Sequence, residues 1–241
     1  MLQKMMKALS AFPFLVTVAL FGTIALGSPA SATAKSQSAS EMVAGALSDA
    51  RASGWVHEES TSTYGLQKGT LVDDIGTHEG RQVVTVAHGG RAEIIALDQA
   101  HEMFVRANSV GLVDYFGFTT ISTATYGEKW IELTPSDSGY ANVAFGTTLA
   151  SDFSQIRLTG ALKLGAVTIV GGQKVRPISG TVPAMNGSPR GTGVLYVTTS
   201  GRLLPVKFHG TTGTLTTTVS WSKWGTKVKL SAPSGAVPFP N

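Results

Sequence analysis

From Trp55 the apolar residues settle into a period of two and keep it through five short segments: Trp55 to Tyr64, Gln67 to Asp74, Arg81 to His88, Ala92 to Leu97 and His101 to Arg106. That period places alternate side chains on opposite faces of an extended strand. Only Tyr64-Gly65, Gly76-Thr77, Gly89-Gly90 and Asp98-Gln99 separate them. Parallel neighbours need a crossover of about a dozen residues, so strands this close together form an antiparallel meander. The clearest hairpin is at Gly89-Gly90, between a Val-rich and an Ile-rich run.

The same texture returns after Leu158. Ala166 to Val170, Gln173 to Val182, Gly193 to Thr199, Leu203 to His209, Leu215 to Trp221 and Lys227 to Leu230 read as strands, parted by Gly171-Gly172, Asn186-Gly187, Ser200-Gly201, Gly210 to Gly213 and Trp224-Gly225. Pro205 cannot donate to a ladder, which points to a bulge or an edge. The proline-containing tail from Ser231 to Asn241 is expected to run over the surface.

Three stretches read as helical. In the first, Ser40 is the expected N-cap, Val43, Leu47 and Ala50 share one face, and Gly54 is the expected stop. The second follows Asn108, where Val110, Val113 and Gly117 are helically spaced and Phe116, Phe118 and Ile121 add bulk. The third carries Phe145, Leu149, Phe153 and Ile156 on one face. Between the last two, Lys129 to Leu133 is a brief strand stopped by Pro135.

Ahead of these elements, Lys4 and Lys7 precede an apolar run from Ala8 to Leu26, then small residues through Ala34, with no acid before Glu41. This is the pattern of a secretory signal peptide over residues 1–34, cut after Ala34. The run is near the roughly 20 residues a retained anchor needs, but Pro13 and the Ala-rich exit favour cleavage. The chain has no cysteine, hence no point for acylation and no disulfide; export without a lipid anchor is expected, with stability from buried apolar area. The remaining 207 of 241 residues suffice for a flexible leader over 35–40 and one domain over 41–241. The signal takes two of the 19 Lys and Arg and none of the 15 Asp and Glu, so the rest carries +2. Such a charge, without a Lys/Arg cluster, gives no footprint for nucleic acid.

Catalytic and metal signatures are missing. His57, His78, His88, His101 and His209 are never two or four apart, so each reads as a surface or turn residue rather than a metal ligand. There is no Gly-x-Ser-x-Gly elbow and no Ser-x-x-Lys element on a helix. Glu58-Glu59 and Asp73-Asp74 are adjacent on strands, point to opposite faces, and read as solvated charges. Gly187 to Gly193 lacks the Lys-Ser/Thr of a phosphate cradle. Asn186-Gly187-Ser188 matches a glycosylation sequon, a three-residue match that carries no weight. Neither enzymatic activity nor a cofactor is expected.

What remains is an apolar sheet face with helices to cover it. Composition alone favours an ordinary close-packed core; looser cover would leave a cavity for an acyl chain. Here a resemblance enters. Glu102 to Asn108, Gly127 to Leu133, Thr147 to Phe153 and Gly201 to Phe208 resemble segments of the LolA/LolB/LppX-like superfamily, especially the LppX/LprG-type lipid carriers of actinobacteria. Trp221 to Gly225 and Ala232-Pro233 are similar to that family's C-terminal strands.

The resemblance implies an α+β fold, a strongly curved antiparallel half-barrel wrapped around a few helices, with a cavity for lipid or glycolipid acyl chains. The lining it implies is Val84, Val86, Val113, Phe116, Phe118, Ile121, Leu149, Phe153, Leu195, Val197, Val206 and Phe208. Members of that type are anchored through a lipobox cysteine, which this chain lacks. The expectation is therefore a soluble, non-enzymatic carrier in the cell envelope or secreted, with transient membrane contact at most and an unidentified delivery partner. The alternative is a secreted structural or interaction module with a filled core.

Overall fold

The computed structural model describes residues 37–97, 102–114, 116–118, 120–137, 140–144, 146–184 and 189–239. The expected signal peptide 1–34, the first two residues of the expected leader 35–40, Asp98-Gln99, His101, Phe145, Asn186-Gly187-Ser188 and the side chain of Ile121 lie outside the described residues.

A first helix, α1 (Ala39–Arg51), leads into five strands, β1 (Trp55–Tyr64), β2 (Gln67–Gly76), β3 (Gly80–Thr85), β4 (Arg91–Leu97) and β5 (Glu102–Ala107). Short helices α2 (Ser109–Asp114) and α3 (Thr120–Tyr126), strand β6 (Trp130–Leu133), and helices α4 (Tyr140–Ala144) and α5 (Leu149–Phe153) follow. The chain then returns to strands β7 (Thr159–Leu164), β8 (Thr168–Val170), β9 (Gln173–Val182), β10 (Gly191–Thr198), β11 (Pro205–Thr212) and β12 (Leu215–Ser222), and ends with β13 (Val237–Pro238).

All the described strands join one sheet, in the order β13-β6-β5-β4-β3-β2-β1-β12-β11-β10-β9-β7, with β8 also beside β9. The expected meander is β1 to β5, and β12 closes on β1 to bring the second set alongside the first. Twist accumulates across so many neighbours, and the sheet curves into the α+β half-barrel. Pro205 opens β11 opposite Val197, where the register with β10 shifts, the bulge its missing N–H requires.

Several elements differ from the sequence reading. The cap of α1 is Ser38, not Ser40: the Ser38 amide donates to Glu41 Oε2 at 2.8 Å and the Glu41 amide to Ser38 Oγ at 3.2 Å. This Ser-x-x-Glu box starts the helix two residues early and turns Ala39, Met42, Ala46 and Ala50 inward, with Val43 and Leu47 at the margin. The third helical stretch is two helices, because Gly146 takes φ 86° and Thr148 caps α5 anew. Residues 227–230 form no strand; Lys227 turns to Glu79, at 3.0 Å, and over the Trp55 ring. The tail instead adds β13 in parallel beside β6, with the Phe239 amide donating to the Glu132 carbonyl at 3.0 Å.

One close approach fixes α5 against the sheet. Gly76 bridges Thr148, and a methyl on Gly80 would run into the Thr147 carbonyl. Gly80→Val is expected to cost about 2–4 kcal/mol, since Gly80 cannot retreat without breaking its pairing with Ile75, nor Thr147 without straining the neighbouring Thr148–Gly76 bridge. A urea midpoint equal to wild type would show that the approach is not required.

Candidate functional site

The apolar interior is divided in two. Under α1 and α5, against β9 to β12, Leu149, Phe153, Leu195, Val197 and Phe208 pack with Met42, Ala46, Ile178 and Trp221. Phe153 is wholly buried, its ring 5.5 Å from that of Trp221 and 5.7 Å from that of Trp224. Under α2 to α4, against β3 to β6, Val84, Val86, Phe116 and Phe118 pack with Ile94, Met103, Val105 and Leu112. Here the aromatic rings are only partly buried: Phe118 lies 6.1 Å from Tyr126 and 5.9 Å from Phe239. Of the other expected lining residues, Val206 is buried outside both groups and Val113 is 36% exposed on α2.

Between the two groups runs a feature that the sequence reading misassigned. Glu58 and Asp73 are not solvated; they are 3% and 1% exposed. Adjacent residues do part, as expected: Glu59 faces solvent, and Asp74 bonds His57 at 2.7 Å on the other face, so that imidazole is half-buried rather than a free surface group. Glu58, however, shares strand parity with Val56, and Asp73 with Ile75, so both point inward with the core. Register sets Trp221, Glu58, Asp73 and Gln82 side by side across β12, β1, β2 and β3. Trp221 Nε1 donates to Glu58 Oε2 at 2.7 Å, and Gln82 Nε2 to Asp73 Oδ2 at 3.2 Å. Asp152 descends from α5 and shares a hydrogen bond with Glu58.

Three carboxyl groups buried together cannot all stay ionised. Burial raises Asp152 well above the usual carboxylate range, and the charge of Glu58, its hydrogen bond and the charge of Asp73 raise it further. Burial also raises Asp73, with Glu58 adding repulsion against the opposing Gln82 bond. Glu58 rises through burial and is held back by its bonds from Asp152 and Trp221. Among the described residues, Asp73 Oδ1 and Asp152 Oδ2 have no hydrogen-bond partner. Among the described residues no group of three acids or histidines is placed to hold a metal ion, this one included. The row is thus a buried polar seam between the two apolar groups, the second of which keeps its aromatic rings only partly buried.

No protein-family model and no curated protein matches the chain. Solved structures do match its fold. LprF from Mycobacterium bovis is 14% identical with a TM-score of 0.55, over 82% of this chain and 97% of its own. The lipoprotein LppX from Mycobacterium tuberculosis is 14% identical with a TM-score of 0.51, over 80% of this chain and all of its own. At that identity the likeness speaks for the path of the backbone, from the meander through the helical insert to the returning strands. The chain therefore has the fold of LprF and LppX, a curved α+β half-barrel.

Proposed function

We propose that the protein carries lipid or a lipid-like apolar ligand, holding its acyl chains between β3–β6 and the helices α2 to α4, and makes or breaks no bond. The observation that carries this reading is the roof over that half. The helices have 6, 7 and 5 residues, so each is only roughly 8–10 Å long, above four strands roughly 14 Å across. The aromatic rings beneath them are partly open. On this reading pieces this short, held by packing rather than by their own helicity, shift to admit a chain, and area removed from water, about 25 cal/mol per Å², would hold it there. The expected signal peptide and the lack of cysteine fit a soluble carrier outside the cytoplasm, with residues 41–241 as one domain.

A filled-core module is favoured by one observation, burial in both halves: Phe153, Ile178, Leu195 and Val197 on one side and Ile94 and Leu112 on the other are wholly buried. Lipid extraction and native mass spectrometry of protein purified from its own host separate the two readings. A bound lipid is expected, and Phe116→Ala is expected to change its amount or chain length while costing less stability than a core truncation. Repeated purification without lipid would leave only the structural module.

A further inference from the structure

The charge of this chain is small only in sum. Asp152 is the last acidic residue; beyond it come ten Lys and Arg and no acid, whereas residues 35–152 carry seven Lys and Arg against fifteen acids. The strands keep this division in space, because β7 to β12 form one contiguous half of the sheet, against which α1 brings Glu41 and Asp49. Its outer border is β7, with β8 also pairing with β9.

That border is also unusually apolar. Leu164, Val167 and Ile169 are 37%, 46% and 67% exposed within six residues, from the end of β7 through the irregular 165–167 link into β8, between Lys163 and the Gly171-Gly172 turn. Ile169 pairs directly across the hairpin with Lys174. Lys163 and Lys174 are exposed, and neither forms an ion pair with an acid among the described residues. Thr199 donates its amide to the Lys174 carbonyl at 3.2 Å, while Arg202, three residues on, is engaged by α1, its Nη2 donating to the Asp49 carbonyl at 2.8 Å.

We propose that this border, Lys163 to Lys174, docks the protein on an anionic phospholipid bilayer. Each half of the feature has a role there. The strands of this half carry no acid, so the border lysines are drawn to a negative surface, and each one near it strengthens binding. Leu164, Val167 and Ile169 then enter the boundary between headgroups and acyl chains, as apolar residues bracketed by lysines do on an interfacial element. A soluble polyanion satisfies the lysines and leaves the apolar side chains in water, which is why the bilayer is the better fit. The docking face is distinct from the α2–α4 half, so a carrier could rest on a membrane without covering its ligand.

Vesicle flotation of the full chain tests this, with 30% phosphatidylglycerol in phosphatidylcholine against phosphatidylcholine alone, at low and high salt. Two double variants on exposed side chains, Lys163→Glu/Lys174→Glu and Val167→Ser/Ile169→Ser, are compared after circular dichroism shows both folded. The wild type is expected to partition preferentially into anionic vesicles. The charge reversal is expected to lose about 30-fold or more, and the serine pair about tenfold. Equal partition of all three into both vesicle types would overturn the proposal. So would salt-sensitive binding unchanged by the serine pair, which would assign the basic half to a soluble polyanion.

Discussion

Neutralising the buried seam as Glu58→Gln, Asp73→Asn and Asp152→Asn is expected to stabilise the protein at pH 8 and to leave it nearly unchanged at pH 4. The three carboxyls are raised in the folded chain, chiefly by burial. They therefore hold protons at a pH where the unfolded chain has released them. Folding takes up protons across that window, so stability is full below the ordinary values of 3.8 for Asp and 4.5 for Glu and falls as pH rises through the raised ones. The slope is at most about 1.4 kcal/mol per pH unit for each group. Glu93 opposes this at lower pH: burial would raise it, but bonds from Arg81 and Arg106 hold it down, so its contribution is lost as pH falls. Urea unfolding from pH 4 to 8 reads the balance, with a wild-type decline toward pH 8 and a flatter profile in the triple variant. A wild type that gains stability from pH 5 to 8 would show that the seam is ionised in the fold.

Phe153→Ala is expected to cost about 3–5 kcal/mol. The ring is wholly buried between Trp221 and Trp224, on a helix capped by Thr148 and held by the Gly76 bridge, so its neighbours have little room to collapse. The urea midpoint measures the loss, and tryptophan emission should shift as both indoles lose a neighbour. Phe116→Ala, in the partly open half, is the comparison. Equal losses at the two positions would contradict the division into a packed and a looser half.

The strands were legible wherever Val and Ile alternate against a Gly turn. β9 matches its expected span residue for residue, and β4 begins one residue early. β7 was missed because it lies at the sheet border, with five of its six residues exposed, so no alternation marks it. Lys227-Val228-Lys229-Leu230 alternates without a neighbour to pair with. The carboxyl seam was visible in part. Counting parity from Val56 and Ile75 sends Glu58 and Asp73 inward, but only the cross-strand register brings Trp221 and Gln82 beside them, and only α5 adds Asp152. Lining residues from both halves of the interior carry the same apolar chemistry, so nothing in the sequence told Phe153 from Phe116. Helix length and capping did, once the chain was folded.

The central claim is where an acyl chain sits. A fatty acid with a photoactivatable diazirine in its tail, crosslinked to the protein and mapped by peptide mass spectrometry, tests it most directly. Labels are expected on β3 to β6 and on α2 to α4, around Val84, Phe116 and Phe118, and an unlabelled fatty acid should compete them away. Labels confined to β9 to β12, or none that competitor removes, would contradict the account.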